Sequence, residues 1–343
     1  MLELDGGDAG GQFLRTGLTL SVLTETPVRI TDVRGSRSDP GLRPQHLAAV
    51  ETLTRICDAD VSGAALGSTT VEFTPGPVSA QSLAVDVGTA GSVALIFDAV
   101  LPLAATLDEP LTLSATGGTD VAWSPPLAYL DRVKLPLLRR YGLQAAVERE
   151  RTGFYPVGGG RATLHVGPST LSPLDLTERG DGHGVDVHSI ASEKLADADV
   201  APRQARAARD RLESDGLDVR HLTTTSADTA CPGSSILVAL DYADTHAGFS
   251  ALGEPGKPAE DVGEAAATAA LAYHEGAAVV DRHMADQLLV FLALAGGEAV
   301  VPANTDHVAT SLELLDRFGV AVTVDDDHPE TTHLAVDRPL DLA

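Results

Sequence analysis

The feature that most restricts the fold of this chain is a glycine-rich turn that recurs between strand-like and helix-like runs. Asp5 to Gly11 reads DGGDAGG; it follows a short strand pattern at Leu2 to Leu4 and opens a helix pattern, FLRTGLTLSVLT, from Gln12. Gly88 to Ser92 (GTAGS) follows the alternating LAVDVG and opens the apolar VALIFDAVLPLAATL. Gly153 to Gly160 (GFYPVGGG) ends one strand pattern and feeds the next, RATLHV. Period-2 and period-3.6 runs that alternate in this way to about residue 180 predict an α/β chain of repeated modules.

Charge narrows the setting. The 343 residues hold 49 acids against 24 bases, a formal charge of −25, and only three of the bases are lysines, Lys134, Lys194 and Lys257. The acids are scattered, which describes a solvated acidic surface and not an acidic tail. Such a surface repels itself in dilute salt, and molar salt removes that penalty by shortening the screening length to a few Å. A salt-rich cytoplasm is therefore expected. Two distant cysteines, Cys57 and Cys231, show no metal spacing and fit a reducing compartment. The first residues lack the basic start and apolar core of a signal peptide, and no run approaches the roughly 18 apolar residues of a membrane span.

Against this acidic background Arg29, Arg34, Arg37 and Arg43 cluster early. The loop RGSRSDPGLRPQHL (Arg34 to Leu47) sets three arginines and His46 around a Pro-Gly turn. Forked guanidinium donors match phosphate, so the loop is a candidate anion site, with a solvated basic turn as the alternative. Asp98 falls inside the apolar helix after GTAGS, where an unpaired carboxylate is costly; it either takes a polar face or points into a site. Thr116 to Pro126 (TGGTDVAWSPP) is a turn-rich loop with the sole tryptophan, and a helix is expected from about Leu127 to Tyr141.

Near Glu178 to Gly184 the character changes. A polar helix, the strand SILVALDYAD and an Ala-rich helix to about Glu275 read as an insertion. The apolar pattern returns from Val279. On a helix, His283, Asp286 and Gln287 of DRHMADQ share one face at i, i+3 and i+4, and Asp281 is a candidate cap. Further on, PANTDHVATSLELLDRF (Pro302 to Phe318) sets His307 ahead of an apolar-periodic helix. Leu312, Leu315 and Phe318 are expected on its buried face, with Asn304 to Thr310 at its start. Free N–H groups and the positive dipole end there favour an anion.

Several stretches, in order, resemble the RNA 3′-terminal phosphate cyclase family nearly end to end: GDAGGQFLR, RGSRSDPGLRPQHL, GTAGSVALIFDAVLP, GGTDVAWSPP, GFYPVGGG, ALGEPGKPAE, HMADQL and DHVATSLELLDRF. The resemblance implies an α/β fold of repeated βαβαββ-type units, each a four-stranded sheet with two helices. Residues 1–181 and 279–343 would form the large catalytic domain, and 182–278 a smaller inserted α/β domain. It implies ATP-dependent conversion of an RNA 3′-phosphate to a 2′,3′-cyclic phosphate through a covalent His–AMP, with His307 in the nucleophile's position. It places the nucleotide among Asp98, Pro125, Pro126, His283, Met284, Ala285, Asp286 and Gln287. The adenine would stack on His283 opposite the prolines, and Asp286 would orient the nucleophile or hold the metal. It assigns pyrophosphate and RNA phosphate to Gln12, Arg15, Arg34, Arg37, Arg43 and His46, and a divalent metal, Mg or Mn, to the neighbourhood of Asp8. Asp306 would bias the tautomer of His307 or cap its helix. Two positions depart from the family pattern: Asp8 replaces a glutamate, and Asp98 replaces a glutamine. An alternative within the same fold is a non-catalytic RNA-binding protein of ribosome assembly, which lacks the histidine. A second alternative is an enol-transferase built from similar repeats.

Overall fold

In the computed structural model, residues 1–79, 81–303 and 305–342 are described. The first unit runs β1 (Leu2–Asp5), α1 (Gly11–Leu23), β2 (Val28–Thr31), α2 (Pro44–Cys57), β3 (Asp60–Ser62) and β4 (Val71–Thr74). The second runs β5 (Ser82–Asp86), α3 (Val93–Val100), β6 (Leu111–Gly117), α4 (Leu127–Tyr129), α5 (Leu135–Arg140), β7 (Ala145–Arg151) and β8 (Gly160–Val166). A π turn, Leu130–Lys134, joins α4 to α5 without a gap, so the single helix expected from about Leu127 to Tyr141 is present with a π bulge inside it.

After β9 (Leu174–Leu176) come β10 (Gly182–Ser192), α6 (Val200–Ser214), β11 (Val219–Ala227), β12 (Ser234–Tyr242), β13 (His246–Leu252) and α7 (Ala259–Glu275). The chain closes with α8 (Arg282–Gln287), α9 (Leu289–Ala295), β14 (Gly297–Pro302), α10 (Asp306–Arg317), β15 (Thr323–Asp325) and β16 (Thr331–Val336). Strands β3, β9, β10, β11, β13 and β16 have no counterpart in the sequence reading. Strand β11 is exposed along almost its whole length, so it lacks the alternation that marks a half-buried strand.

Four four-stranded sheets result, in the orders β1-β2-β4-β3, β5-β6-β8-β7, β15-β16-β14-β9 and β11-β10-β12-β13. Each holds one parallel pair: β1 with β2, β5 with β6, β9 with β14, and β10 with β11. Parallel neighbours need a crossover, and α1, α3 and α6 supply three of them. The fourth crossover carries the whole β10–α7 stretch.

Apolar burial forms two cores. The larger draws on Leu4, Phe13, Phe73, Phe97, Leu113, Leu164, Phe291 and Leu314, so elements from both ends of the chain share it. The smaller lies within residues 185–273, where Val187, Ile236 and Val238 of the sheet meet Ala205 and Leu212 of α6 and Ala266 and Ala270 of α7. Arg179 clasps the two chain crossings between these cores. Its guanidinium donates to the carbonyls of His274, Gly276 and Ala278 and lies 4.2 Å from the Tyr273 ring centroid. No helix among the described residues is long and apolar enough to cross a membrane.

Candidate active site

Three helix starts meet at one end of the larger core. Helix α1 begins at Gly11 with no side-chain cap, so its first N–H groups stay available. A Cβ on Gly11 would fall 2.1 Å from Nε2 of His46, and one on Gly10 would fall 3.7 Å from Nη2 of Arg37. Glycine here lets the early arginine loop and the start of α2 close over the turn. His46 Nδ1 accepts the N–H of Arg43 at 3.2 Å, which leaves the ring proton on Nε2, facing α1. Burial, with Arg15, Arg34 and Arg43 nearby, pushes His46 down to about 3, so it is a neutral donor at all physiological pH.

Helix α10 presents His307. Its buried face consists of Val308, Ser311, Leu314 and Leu315, which shares only Leu315 with the expected one; Leu312 and Phe318 are only half-buried. Thr305, not Asp306, is the cap: its Oγ1 accepts the N–H of Val308 at 3.2 Å. Asn304, part of the expected helix start, lies outside the described residues. One turn beyond His307, Ser311 Oγ accepts from Gln12 Nε2 at 3.1 Å, which ties α10 to the start of α1. His307 is exposed, and neither ring nitrogen has a hydrogen-bond partner among the described residues. Partial burial first, then Arg282, Arg15 and Arg37, hold its pKa below the ordinary value; Asp306 opposes them. The imidazole is therefore neutral, with a free lone pair. Arg282 has no place in the sequence reading, because a single arginine at the start of a six-residue helix looks like surface.

Helix α8 is fixed by a buried acid. Asp281 accepts from Tyr129 Oη at 2.8 Å, from the N–H of Gly248 at 2.9 Å and from the N–H groups of His283 and Met284. Its role is structural, the capping alternative. Met284 and Ala285 point into the core and offer no side chain to a ligand. His283 is exposed and meets the Tyr129 ring edge-on at 5.8 Å. Pro125 and Pro126 are both buried, so little of either is available for stacking on a base.

Behind these helices a cavity of about 60 Å³ gathers Gln12, Arg15, Asp98, Lys134, Asp286 and Gln287. Asp98 is not unpaired: Lys134 Nζ donates to its Oδ1 at 2.8 Å, and the lysine is almost wholly buried. Lys134 answers the question posed by Asp98, because it cancels the carboxylate that would otherwise repel a polyanion. Burial raises Asp286 to about 6, against the pull of His283 and Lys134. The charges acting most strongly on His307 do not include Asp286, so the structure gives no support to an orienting contact between them. Arg15 is buried, and its guanidinium has no hydrogen bond or ion pair among the described residues; Asp98 and Asp286 act on it only at a distance. A buried cation without a partner facing a cavity is costly unless an anion completes it.

Nearby, Arg34 is spent on its own loop, donating to the carbonyls of Asp39 and Gly41. Arg43 pairs with Asp39 at 3.2 Å. Asp8 is exposed in the glycine turn.

The site thus defines an α/β protein that presents a neutral histidine among cations at converging helix starts. A family model described as RNA 3′-terminal phosphate cyclase matches residues 7–324. The chain belongs to that family. It is 45% identical over 337 residues to an RNA 3′-terminal phosphate cyclase of Halobacterium salinarum, covering 95% of this chain and 97% of the relative. Relatives of the same name from Pyrobaculum aerophilum and Methylococcus capsulatus are 38% and 40% identical, the first covering 92% of each chain and the second 94% of this chain and 92% of its own. Among solved structures, an enolpyruvyl transferase, NikO from Streptomyces tendae, matches 97% of this chain and 47% of its own at 10% identity and a TM-score of 0.37, too slight a likeness to argue from.

Proposed function

We propose that this enzyme converts an RNA 3′-terminal phosphate into a 2′,3′-cyclic phosphodiester with ATP, by way of adenylated His307. The observation that carries the proposal is the pairing of a neutral, unengaged His307 with the buried, unpartnered Arg15. An imidazole lone pair attacks the α-phosphorus; the P–N bond forms as the bond to pyrophosphate breaks, and the ring loses its remaining proton to solvent. An oxygen of the RNA 3′-phosphate then attacks the same phosphorus, breaking the P–N bond and giving an RNA–adenylate. The neighbouring 2′-hydroxyl displaces AMP and closes the ring. Arg15, Arg37, Arg282, His46 Nε2–H and the free N–H groups of α1 supply fixed donors for charge on the transferring phosphates.

His283, Asp286 and Gln287 are the side chains of α8 placed to meet the nucleotide. A divalent cation, Mg or Mn, accompanies ATP in this reading and shields the α-phosphate from repelling its nucleophile. Among the described residues no group of three or more His, Cys, Asp or Glu side chains is arranged to hold a metal. A cation carried mainly by substrate phosphates needs only one or two carboxylates, and Asp8 and Asp286 fit that demand. We further read residues 1–181 and 279–343 as a catalytic body of three βαβαββ units and 182–278 as an inserted domain. The shared strand order of three sheets and the separate small core support that division. The acidic surface fits a salt-rich cytoplasm.

The test is incubation with α-labelled ATP and a divalent cation in high salt. Acid-labile label on the wild type, and none on His307→Ala, is the expected result. Equal label on both would remove His307 as nucleophile, and no label on either would leave a binding role.

A further inference from the structure

Three of the glycine-containing stretches that the adenylation site does not use converge elsewhere. TGGTDVAWSPP, GFYPVGGG and ALGEPGKPAE all line one cavity of about 900 Å³, set between the larger core and the small one. Its floor is fixed. Cys231 Sγ lies 3.3 Å from the carbonyl of Phe154 and 3.4 Å from that of Tyr155, and a Cβ on Gly233 would strike the Phe154 ring at 2.3 Å. Its rim is aromatic: Trp123 is 97% exposed and Tyr155 is 71% exposed. Trp123 holds a left-handed backbone, φ 60°, which costs a bulky residue on the order of 1 kcal/mol or more. Such strain is hard to account for at a residue whose side chain meets only solvent. Lys257 is exposed at the same cavity, whereas Lys134 and Lys194 are engaged internally. Asp120, also lining it, keeps a buried Oδ1 that accepts no hydrogen bond among the described residues.

The cavity and the phosphate end of the site flank one shared loop. Gly158 packs on the 88–91 loop, where an added Cβ would sit 2.8 Å from the Thr89 carbonyl. The same loop reaches the start of α2, with the Ser92 N–H on Gln45 Oε1 at 3.4 Å, next to His46. One loop therefore separates the phosphate-binding end from the aromatic rim.

We infer that this cavity is a second binding site that holds bases of single-stranded RNA, a few nucleotides 5′ of the reacting 3′-phosphate. Trp123 and Tyr155 act as stacking platforms for those bases. Stacking suits this protein because the net charge of −25 opposes a polyanion, while base–aromatic contact does not depend on charge. The inference rests on RNA being the substrate, the reading given above.

Trp123 is the sole tryptophan, so its fluorescence reports on the cavity directly. A 3′-phosphorylated RNA of about ten nucleotides is expected to quench it in the full chain. A 3′-phosphorylated dinucleotide, or a strand of the same length with abasic sites at the upstream positions, is expected to quench little. Trp123→Ala and Tyr155→Ala should each raise the KM for the long RNA about tenfold, leaving the dinucleotide KM and His307 self-adenylation without RNA unchanged. Equal quenching by the abasic strand, or a long-RNA KM within about twofold of wild type in both variants, would overturn the inference. Normal self-adenylation without quenching retires this site alone. Quenching without self-adenylation retires the His–AMP mechanism and leaves the site.

Discussion

Replacing Lys134 by methionine keeps the buried stem of the side chain and removes only its charge. Asp98 then faces the protein interior without the ammonium that now lies 2.8 Å away. The pair is well buried, with side-chain exposures of 2% for Lys134 and 15% for Asp98, so breaking it belongs with buried pairs, worth about 3–5 kcal/mol when one partner is lost. Two features hold the loss to the lower end. The adjoining cavity of about 60 Å³ has room for a water, and Arg15 stands close enough to feel the charge on Asp98. About 3 kcal/mol is expected, which for a chain of 343 residues lowers the melting temperature by roughly 4 °C. Thermal unfolding at low and at molar salt is the assay. The loss should persist in molar salt, because a buried pair is poorly screened. Asp98→Asn with Lys134→Met should recover most of it. The reasoning fails if Lys134→Met melts within about 2 °C of an exposed control such as Lys257→Met, or if the double variant is no more stable than the single one.

The remaining predictions concern pH. Arg282 is the strongest single charge depressing His307, so Arg282→Ala should move the acid limb of single-turnover self-adenylation upward, toward the ordinary histidine value. An unmoved limb between about pH 5 and 8 would show that burial alone keeps the imidazole neutral. Asp286 is raised from 3.8 to about 6, so the folded state holds a proton that the unfolded state has lost across that window. Its contribution to stability is favourable below the lower value and is lost as pH rises through the higher one. Asp286→Asn should therefore flatten the pH dependence of the melting temperature over that window. It should also stabilise the protein near neutrality by on the order of 2–3 kcal/mol, provided the amide finds partners.

How much of this was legible before the structure depended on where each signal lay. The crossover helices α1 and α3 were readable because a glycine turn, an apolar period and a strand follow one another within about 20 residues. Strand β11 was not, since it has no buried face to print an alternation. His307 and Asp286 could be singled out as polar residues of helix starts, and the family resemblance added Gln12 and Arg15, but sequence alone could not say that one cavity gathers Gln12, Arg15 and Asp286. Lys134 was hidden for a physical reason: it sits on a helix 36 residues from its partner, and no periodicity links two chains of side chains that meet only through tertiary packing. Arg282 was hidden because its effect on His307 is Coulombic and needs no contact.

The same distinction separates the two departures from the family pattern. Asp98 looked disruptive while it stood alone, yet beside Lys134 the pair is neutral and keeps the cavity wall polar without adding net charge to be overcome by ATP. Asp8 gains no such partner: it remains an exposed carboxylate in the glycine turn. In the proposed reaction, a shortened side chain there would be answered by a cation carried on the nucleotide. Of the two, Asp8 is thus the position at which the proposed reaction would let divalent-metal preference change, and Asp98 is the position at which stability, before catalysis, would register a substitution of its partner.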